Sequence, residues 1–254
     1  MDISTLVKTG LQIAQLSQSQ AASKPGGASA NLATAANDRL GRELQSTNVK
    51  LSAYGQIKSA FGGAQTAATG LTAAATSKTA TNADIEKAAQ AFVSAYNQAT
   101  QSVSSATGTS AKQVGALATD SRARAAGTDL ARSITGNTSP ASLKQIGITM
   151  NKNGTMSLDT KALQAALQSN PGQAKGALAN LGQQVNAATS RELASTGNVG
   201  ISVGKLTTQA QTLTSRQQTL QQTTASTQSQ LEQQKTTLNY ATANSLAAYQ
   251  KVLG

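Results

Sequence analysis

The sequence predicts a mainly α protein in which N- and C-terminal helices pair as a coiled-coil-like leg and bracket a small helical domain with one β-hairpin. Three observations predict it. The first is composition: alanine carries much of the apolar fraction, and 254 residues include two Phe, four Tyr and no Trp, which suits thin helical assemblies better than a thick globular core. The second is that apolar residues recur at heptad spacing near both ends of the chain. The third is one stretch, Ser142 to Leu163, in which strand, turn and helix signals follow each other without a gap. The expected division is residues 1–45 as N-terminal helix and flexible joint, 46–204 as central helical domain with a hairpin at 146–158, and 205–254 as C-terminal coiled-coil helix.

In chain order, Ile3, Leu6, Val7, Ile13 and Ala14 form one stripe with Gly10 in line, an amphipathic helix in need of a partner. Ser23 to Ser29, with Pro25, Gly26 and Gly27, reads as a joint. From Leu40 a heptad runs through Leu44, Thr47, Leu51, Tyr54, Lys58 and Phe61, with Lys58 as the intruder. Gly62 and Gly63 are expected to loosen it, and the Ala/Thr-rich residues 64–81 to be frayed helix or loop. Thr81-Asn-Ala-Asp84 has capping-box spacing, with Asp in place of Glu or Gln. Ile85, Ala89, Phe92, Tyr96, Ala99 and Val103 then keep helical register, with Phe92 and Tyr96 weighed as core rather than binding site. Residues 104–116 read as linker. A helix from about Ser121 to Ile134 ends at Gly136–Pro140.

Ile146, Ile148 and Met150 alternate with Gly147 and Thr149 as in a half-buried strand. Asn151 to Gly154 supplies turn chemistry, and Met156 and Leu158 resume the alternation. Asp159 is the expected N-cap of the next helix, which places Leu163, Ala166 and Leu167 on one face. Asn170-Pro171 closes that helix and starts another along Ala174, Leu178, Leu181 and Val185, as far as about Thr189. Gly197 to Gly204 is expected to break the pattern. The last helix carries a second heptad, Leu206, Ala210, Leu213, Gln217, Leu220 and Thr224, with a register slip expected before Leu231 and Leu238.

Chemistry is thin along this chain. It has neither His nor Cys, so Gly200-Ile-Ser-Val-Gly204 cannot belong to a Ser-His-acid triad, and most transition-metal sites are excluded. The ten carboxylates are dispersed, and Asp84 and Glu86 would point to different helix faces. Thr160 stands where a calcium loop needs Glu. No phosphate-binding glycine motif is present. These absences predict no catalytic residue, no cofactor, no metal and no enzyme. The net charge of +11 comes from scattered Lys and Arg, with Arg122, Arg124 and Arg132 the nearest approach to a cluster, so no nucleic-acid partner is expected. No apolar run reaches the roughly 20 residues of a membrane span, and the first residues, with Asp2 and only scattered apolar positions, are not expected to form a classical secretory signal. Weak seams at both ends point to an interaction protein that buries its terminal helices against each other and against copies of itself.

Three segments resemble the flagellar filament-capping protein family, the FliD family. Leu143 to Leu163, with Ile146-Gly-Ile-Thr149, Asn151, Asn153-Gly-Thr155 and Ser157-Leu-Asp159, looks like its C-terminal conserved region. Phe92-Val-Ser-Ala-Tyr-Asn97 is similar to the family's "FVxxYN" segment, and Leu51-Ser-Ala-Tyr-Gly-Gln-Ile-Lys-Ser-Ala60 to its "LSAYGxLKSA" helix. Asp2-Ile-Ser-Thr-Leu-Val7 is a weaker match. The resemblance implies a structural cap protein of the bacterial flagellum, a homo-oligomer that assists flagellin assembly at the distal tip and is concerned with motility and cell adhesion. Its implied partners are flagellin, hook-associated proteins and the flagellar export apparatus. Secretion would follow the flagellar type III route, and the location would be extracellular. Carried onto this chain, the self-assembly seam comprises Leu40, Leu44, Leu51, Tyr54 and Phe61 with Leu206, Leu213, Leu220, Leu231 and Leu238. One departure stands out: family members carry a large β-rich insertion between the first two helices, and residues 62–84 leave no room for it. Two other readings stay open, another axial component (a junction protein or a flagellin-like subunit) and an export-linked helical chaperone.

Overall fold

A computed structural model describes residues 28–110, 113–136 and 138–253. The stripe expected at residues 1–16 and the joint as far as Gly27 lie outside them. The elements are α1 (Ala28–Thr76), α2 (Asn82–Thr107), β1 (Thr109–Ser110), β2 (Gln113–Val114), α3 (Ser121–Thr135), α4 (Pro140–Gln145), β3 (Ile148–Met150), β4 (Met156–Leu158), α5 (Thr160–Ser169), α6 (Pro171–Leu193) and α7 (Asn198–Leu253). The described residues are mainly helical, with short antiparallel ladders, as the composition predicts. Two compact units result: one runs to Asn48 and resumes at Thr208, and the other spans Val49–Thr207.

The second unit holds the larger core. On its part of α1, burial passes from Tyr54 to Ile57, Phe61, Ala64, Ala68, Leu71 and Ala75, all 8% exposed or less. Lys58 is exposed, so Ile57 replaces it: the buried stripe follows the 3.6-residue period of a helix on a core rather than the heptad expected there. Gly62 and Gly63 sit inside this helix facing open space, and it continues through the Ala/Thr run that was expected to fray. Packing supplies what local propensity does not. Where Gly182 of α6 crosses α1, an added Cβ would lie 2.6 Å from the Ala68 carbonyl, so two backbones approach across small residues alone. Ala179 O accepts from Thr72 Oγ1 at 3.4 Å beside that crossing. An alanine-rich chain thus builds its core by bringing helices close rather than by filling a wide gap.

A short link, Ser77–Thr81, joins α1 to α2. Ser77 Oγ accepts from the Thr79 and Ala80 amides at 3.2 Å each. Thr81 caps α2 reciprocally: its Oγ1 accepts from Asp84 N at 3.2 Å, while Thr81 N donates to Asp84 Oδ2 at 2.9 Å. The Thr81 hydroxyl and amide hold the Asp84 carboxyl below the usual carboxylate range. Ile85, Ala89, Phe92, Tyr96, Ala99 and Val103 are all buried, with the Phe92 and Tyr96 rings 6.4 Å apart and tilted. Burial pushes the Tyr96 phenol up to about 12 and raises the Tyr54 phenol further still, so both stay neutral core groups. Residues 104–116, expected as linker, instead complete α2 and add the β1–β2 ladder.

The hairpin pairs Ile148 with Leu158 and Met150 with Met156. Ile146 is not on its first strand. It caps the short helix α4, which Ser139 initiates by accepting from Ser142 N at 3.1 Å, with Pro140 in the first turn. Gly147 then turns the chain at φ +74°, and Gly154 closes the hairpin at φ +82°. The outer edge of β4 meets α2 through one side chain: Asn97 Oδ1 accepts from Met156 N at 2.6 Å, and Asn97 Nδ2 donates to Met156 O at 2.8 Å. An amide in this pose substitutes for a missing strand. Asp159 and Asn170 cap α5 and α6 as expected, and α6 extends past Thr189 to Leu193. Gly200 and Gly204 do not interrupt the chain but lie within α7, which starts at Asn198.

Candidate self-assembly surface

In the first unit, the described part of α1 up to Asn48 and α7 from Thr208 onward run antiparallel. Leu44, Ala210 and Leu213 form a small buried cluster with Leu40 half-buried against it. One layer further, Gln217 is 1% exposed and donates from Nε2 to Asn37 Oδ1 at 3.1 Å, across Gly41. Its Oε1 has no hydrogen-bond partner. A buried amide here costs stability but fixes which layers face each other, because any shift leaves it opposite an apolar residue. Asn37 and Gly41 were missed from sequence, although they extend the Leu40–Leu44 stripe by one turn.

Beyond this point α7 loses its partner among the described residues. Leu220 and Thr224 are half-buried, and residues 225–245 are all exposed. Leu231 is 49% exposed, Leu238 66% and Tyr240 70%. Thr224, Leu231 and Leu238 stand seven apart on an uninterrupted helix, so the expected register slip is absent and one heptad runs on from Leu213. Little else supports that length of helix. Thr212, Thr219, Thr227, Thr236 and Thr242 each turn their hydroxyl back to the carbonyl four residues earlier, a bond that does nothing for helix stability. The Lys235–Glu232 pair, at 3.0 Å, is exposed and contributes little.

The remaining residues expected at the seam lie elsewhere. Leu51, Tyr54 and Phe61 are fully buried, and Leu206 is half-buried against the same core as Tyr54 and Phe61. The ten positions therefore fall into three settings: Leu51, Tyr54, Phe61 and Leu206 inside the larger unit, Leu40, Leu44 and Leu213 in the smaller cluster with Leu220 at its margin, and Leu231 and Leu238 in solvent.

Elsewhere the described surface offers no reactive constellation. A groove of about 900 Å³ lies along α4, α5 and α6, with Ala165, Ala166, Gly176 and Ala177 in its lining and no ionisable side chain. Among the described residues no three acidic groups come together at metal-binding distance. No helix there is long and apolar enough to cross a membrane. A family model described as the flagellar hook-associated protein 2 C-terminus matches residues 63–246. No curated protein sequence matches the chain.

Proposed function

The chain belongs to the flagellar hook-associated protein 2 family, and from that membership we propose that it is a structural filament-cap protein. It stacks with copies of itself at the distal tip of the flagellum and assists flagellin assembly there. Residues 1–45 and 205–254 serve as the leg, and 46–204 as the body. Leu40, Leu44, Leu213, Leu220, Leu231 and Leu238 carry the seam, while Leu51, Tyr54, Phe61 and Leu206 serve it by holding the body together. Its partners are further copies, flagellin, hook-associated proteins and the flagellar export apparatus, which delivers it outside the cell. It catalyses no reaction.

The observation that carries this reading is the exposed heptad of α7. A helix of this length, with leucines at 49% and 66% exposure on one stripe, is marginal in water until something covers them. The family supplies the context in which the cover is an assembly. The short Ser77–Thr81 link adds a specific form to the proposal: a cap built from legs and body, without the β-rich plate.

Negative-stain microscopy and sedimentation velocity of the full chain test the proposal against Leu231→Glu/Leu238→Glu. Closed rings that the double substitution disperses support it. Open filaments would reassign the protein as an axial subunit, and a persistent monomer that binds one helical partner would reassign it as a chaperone. The substitutions touch only exposed positions, so circular dichroism should show the body still folded.

A further inference from the structure

The tip of the β3–β4 hairpin carries Asn153-Gly154, the single Asn-Gly pair in the sequence. Asn153 is exposed. Its Oδ1 accepts from Thr155 N at 3.2 Å and from Thr155 Oγ1 at 2.7 Å. A backbone N–H can only donate, so the atom facing it is the carboxamide oxygen and not the nitrogen. Asn151 Nδ2 donates to Thr155 Oγ1 at 3.0 Å, which leaves the threonine proton for Asn153. Two donors thus converge on one carbonyl oxygen. The following nitrogen, Gly154 N, donates to Asn151 O at 2.9 Å, and its residue has no Cβ to shield it. Every other asparagine is followed by a residue with a side chain. Asn170 precedes Pro171, whose nitrogen has no proton to lose, and the Asn97 amide is held by Met156.

A carbonyl whose oxygen is held by donors gives up electron density at carbon, and the nitrogen able to close a ring on it belongs to the next residue. We propose that Asn153 is a self-modification site: it loses its side-chain nitrogen as ammonia, with Thr155 stabilising the oxyanion. Gly154 N leaves its bond to Asn151 O, gives its proton to hydroxide and attacks Asn153 Cγ. The C=O electron pair moves onto Oδ1, where the Thr155 N–H and O–H meet it. As the carbonyl re-forms, the Cγ–Nδ2 bond breaks and Nδ2 takes a proton from water and departs as ammonia. A succinimide now joins Asn153 to Gly154, and water opens it. Attack at Cγ gives aspartate, and attack at the main-chain carbonyl carbon gives isoaspartate. Either product adds a negative charge to the tip. Aspartate keeps the main chain, and its carboxylate accepts the same Thr155 bonds more strongly. Isoaspartate inserts a methylene into the main chain, inside the turn that Asn151 N closes by donating to Thr155 O at 2.7 Å, so the adjoining Met150–Met156 pair loses its closure.

Incubation of the full chain in mildly alkaline buffer, followed by peptide mass mapping with isoaspartate detection, tests the site. Conversion should appear at Asn153 ahead of every other asparagine, with ammonia released in step. Thr155→Val keeps the shape of the side chain and removes the hydroxyl donor. It should slow conversion about tenfold, less than the roughly hundredfold or more lost with a donor in an enclosed site, because water reaches this one. Thr155→Ser keeps the hydroxyl and should convert at the parent's rate. Conversion spread evenly over several asparagines would overturn the proposal, and so would a valine variant as fast as the parent. A serine variant as slow as the valine one would also overturn it, because the threonine methyl, and not the donor, would then account for the rate.

Discussion

Asn97 offers the most direct test of how the body is held together. Its side chain closes both backbone groups of Met156, with bonds of 2.6 and 2.8 Å across 59 residues of sequence. Asn97→Ala deletes both bonds and leaves a strand N–H and C=O facing a helix. Each lost bond contributes about 1 kcal/mol, and each group left dry adds a penalty of similar size. With both groups dry the loss is about 4 kcal/mol, and water that reaches the gap brings the expected loss to about 2–3 kcal/mol. In urea, with a slope of about 2 kcal/mol/M for a domain of this size, the midpoint should fall by roughly 1 M while the slope holds. Asn97→Asp sharpens the test. It keeps the acceptor for Met156 N–H but sets a carboxylate oxygen against Met156 C=O, so at neutral pH it should be at least as damaging as alanine and should recover partly in acid. A midpoint for Asn97→Ala within about 0.2 M of the parent would refute the bridge as a determinant of stability.

Two further substitutions probe backbone conformation and register. Gly147→Ala places a side chain at φ +74° and presses its Cβ against the Asp159 carbonyl, so a loss of at least about 1–3 kcal/mol is expected in the same urea titration. Gln217→Leu removes a buried amide whose Oε1 is unpartnered; it should raise the melting temperature by a few degrees, for a gain of about 1 kcal/mol, while sedimentation velocity shows a broader set of oligomers.

Local chemistry in the sequence was read well. Thr81, Asp159 and Asn170 cap helices because a short polar side chain next to free backbone N–H groups has one good use, whatever surrounds it. The stripe from Ile85 to Val103 was equally plain, since its period matches a single helical face. Misread segments are those that tertiary contacts decide. Gly62-Gly63 and the following Ala/Thr run have poor local preference, yet Ala64, Ala68, Leu71 and Ala75 are buried and hold the helix intact to Thr76. Ser139-Pro140 ended one helix to the eye but also begins another, because Ser-Pro serves both purposes. At the candidate surface, heptad spacing put Leu231 and Leu238 on one stripe of α7 but did not give their exposure. Nothing in Leu231 or Leu238 distinguishes a covered leucine from an open one, and Asn37 became visible only once Gln217 needed an acceptor.

The exposed Ser77–Thr81 link has an evolutionary consequence. Thr81 caps α2 with its own side chain, and Lys78 and Thr79 between the helices are exposed, so neither helix depends on the side chains at those two positions. A folded module whose two ends lie near each other can enter there, or be deleted, and leave both helices undisturbed. Relatives that differ by an entire lobe at this point can therefore share one body, and a graft of a compact foreign module between Lys78 and Thr79 is the engineering counterpart of that exchange.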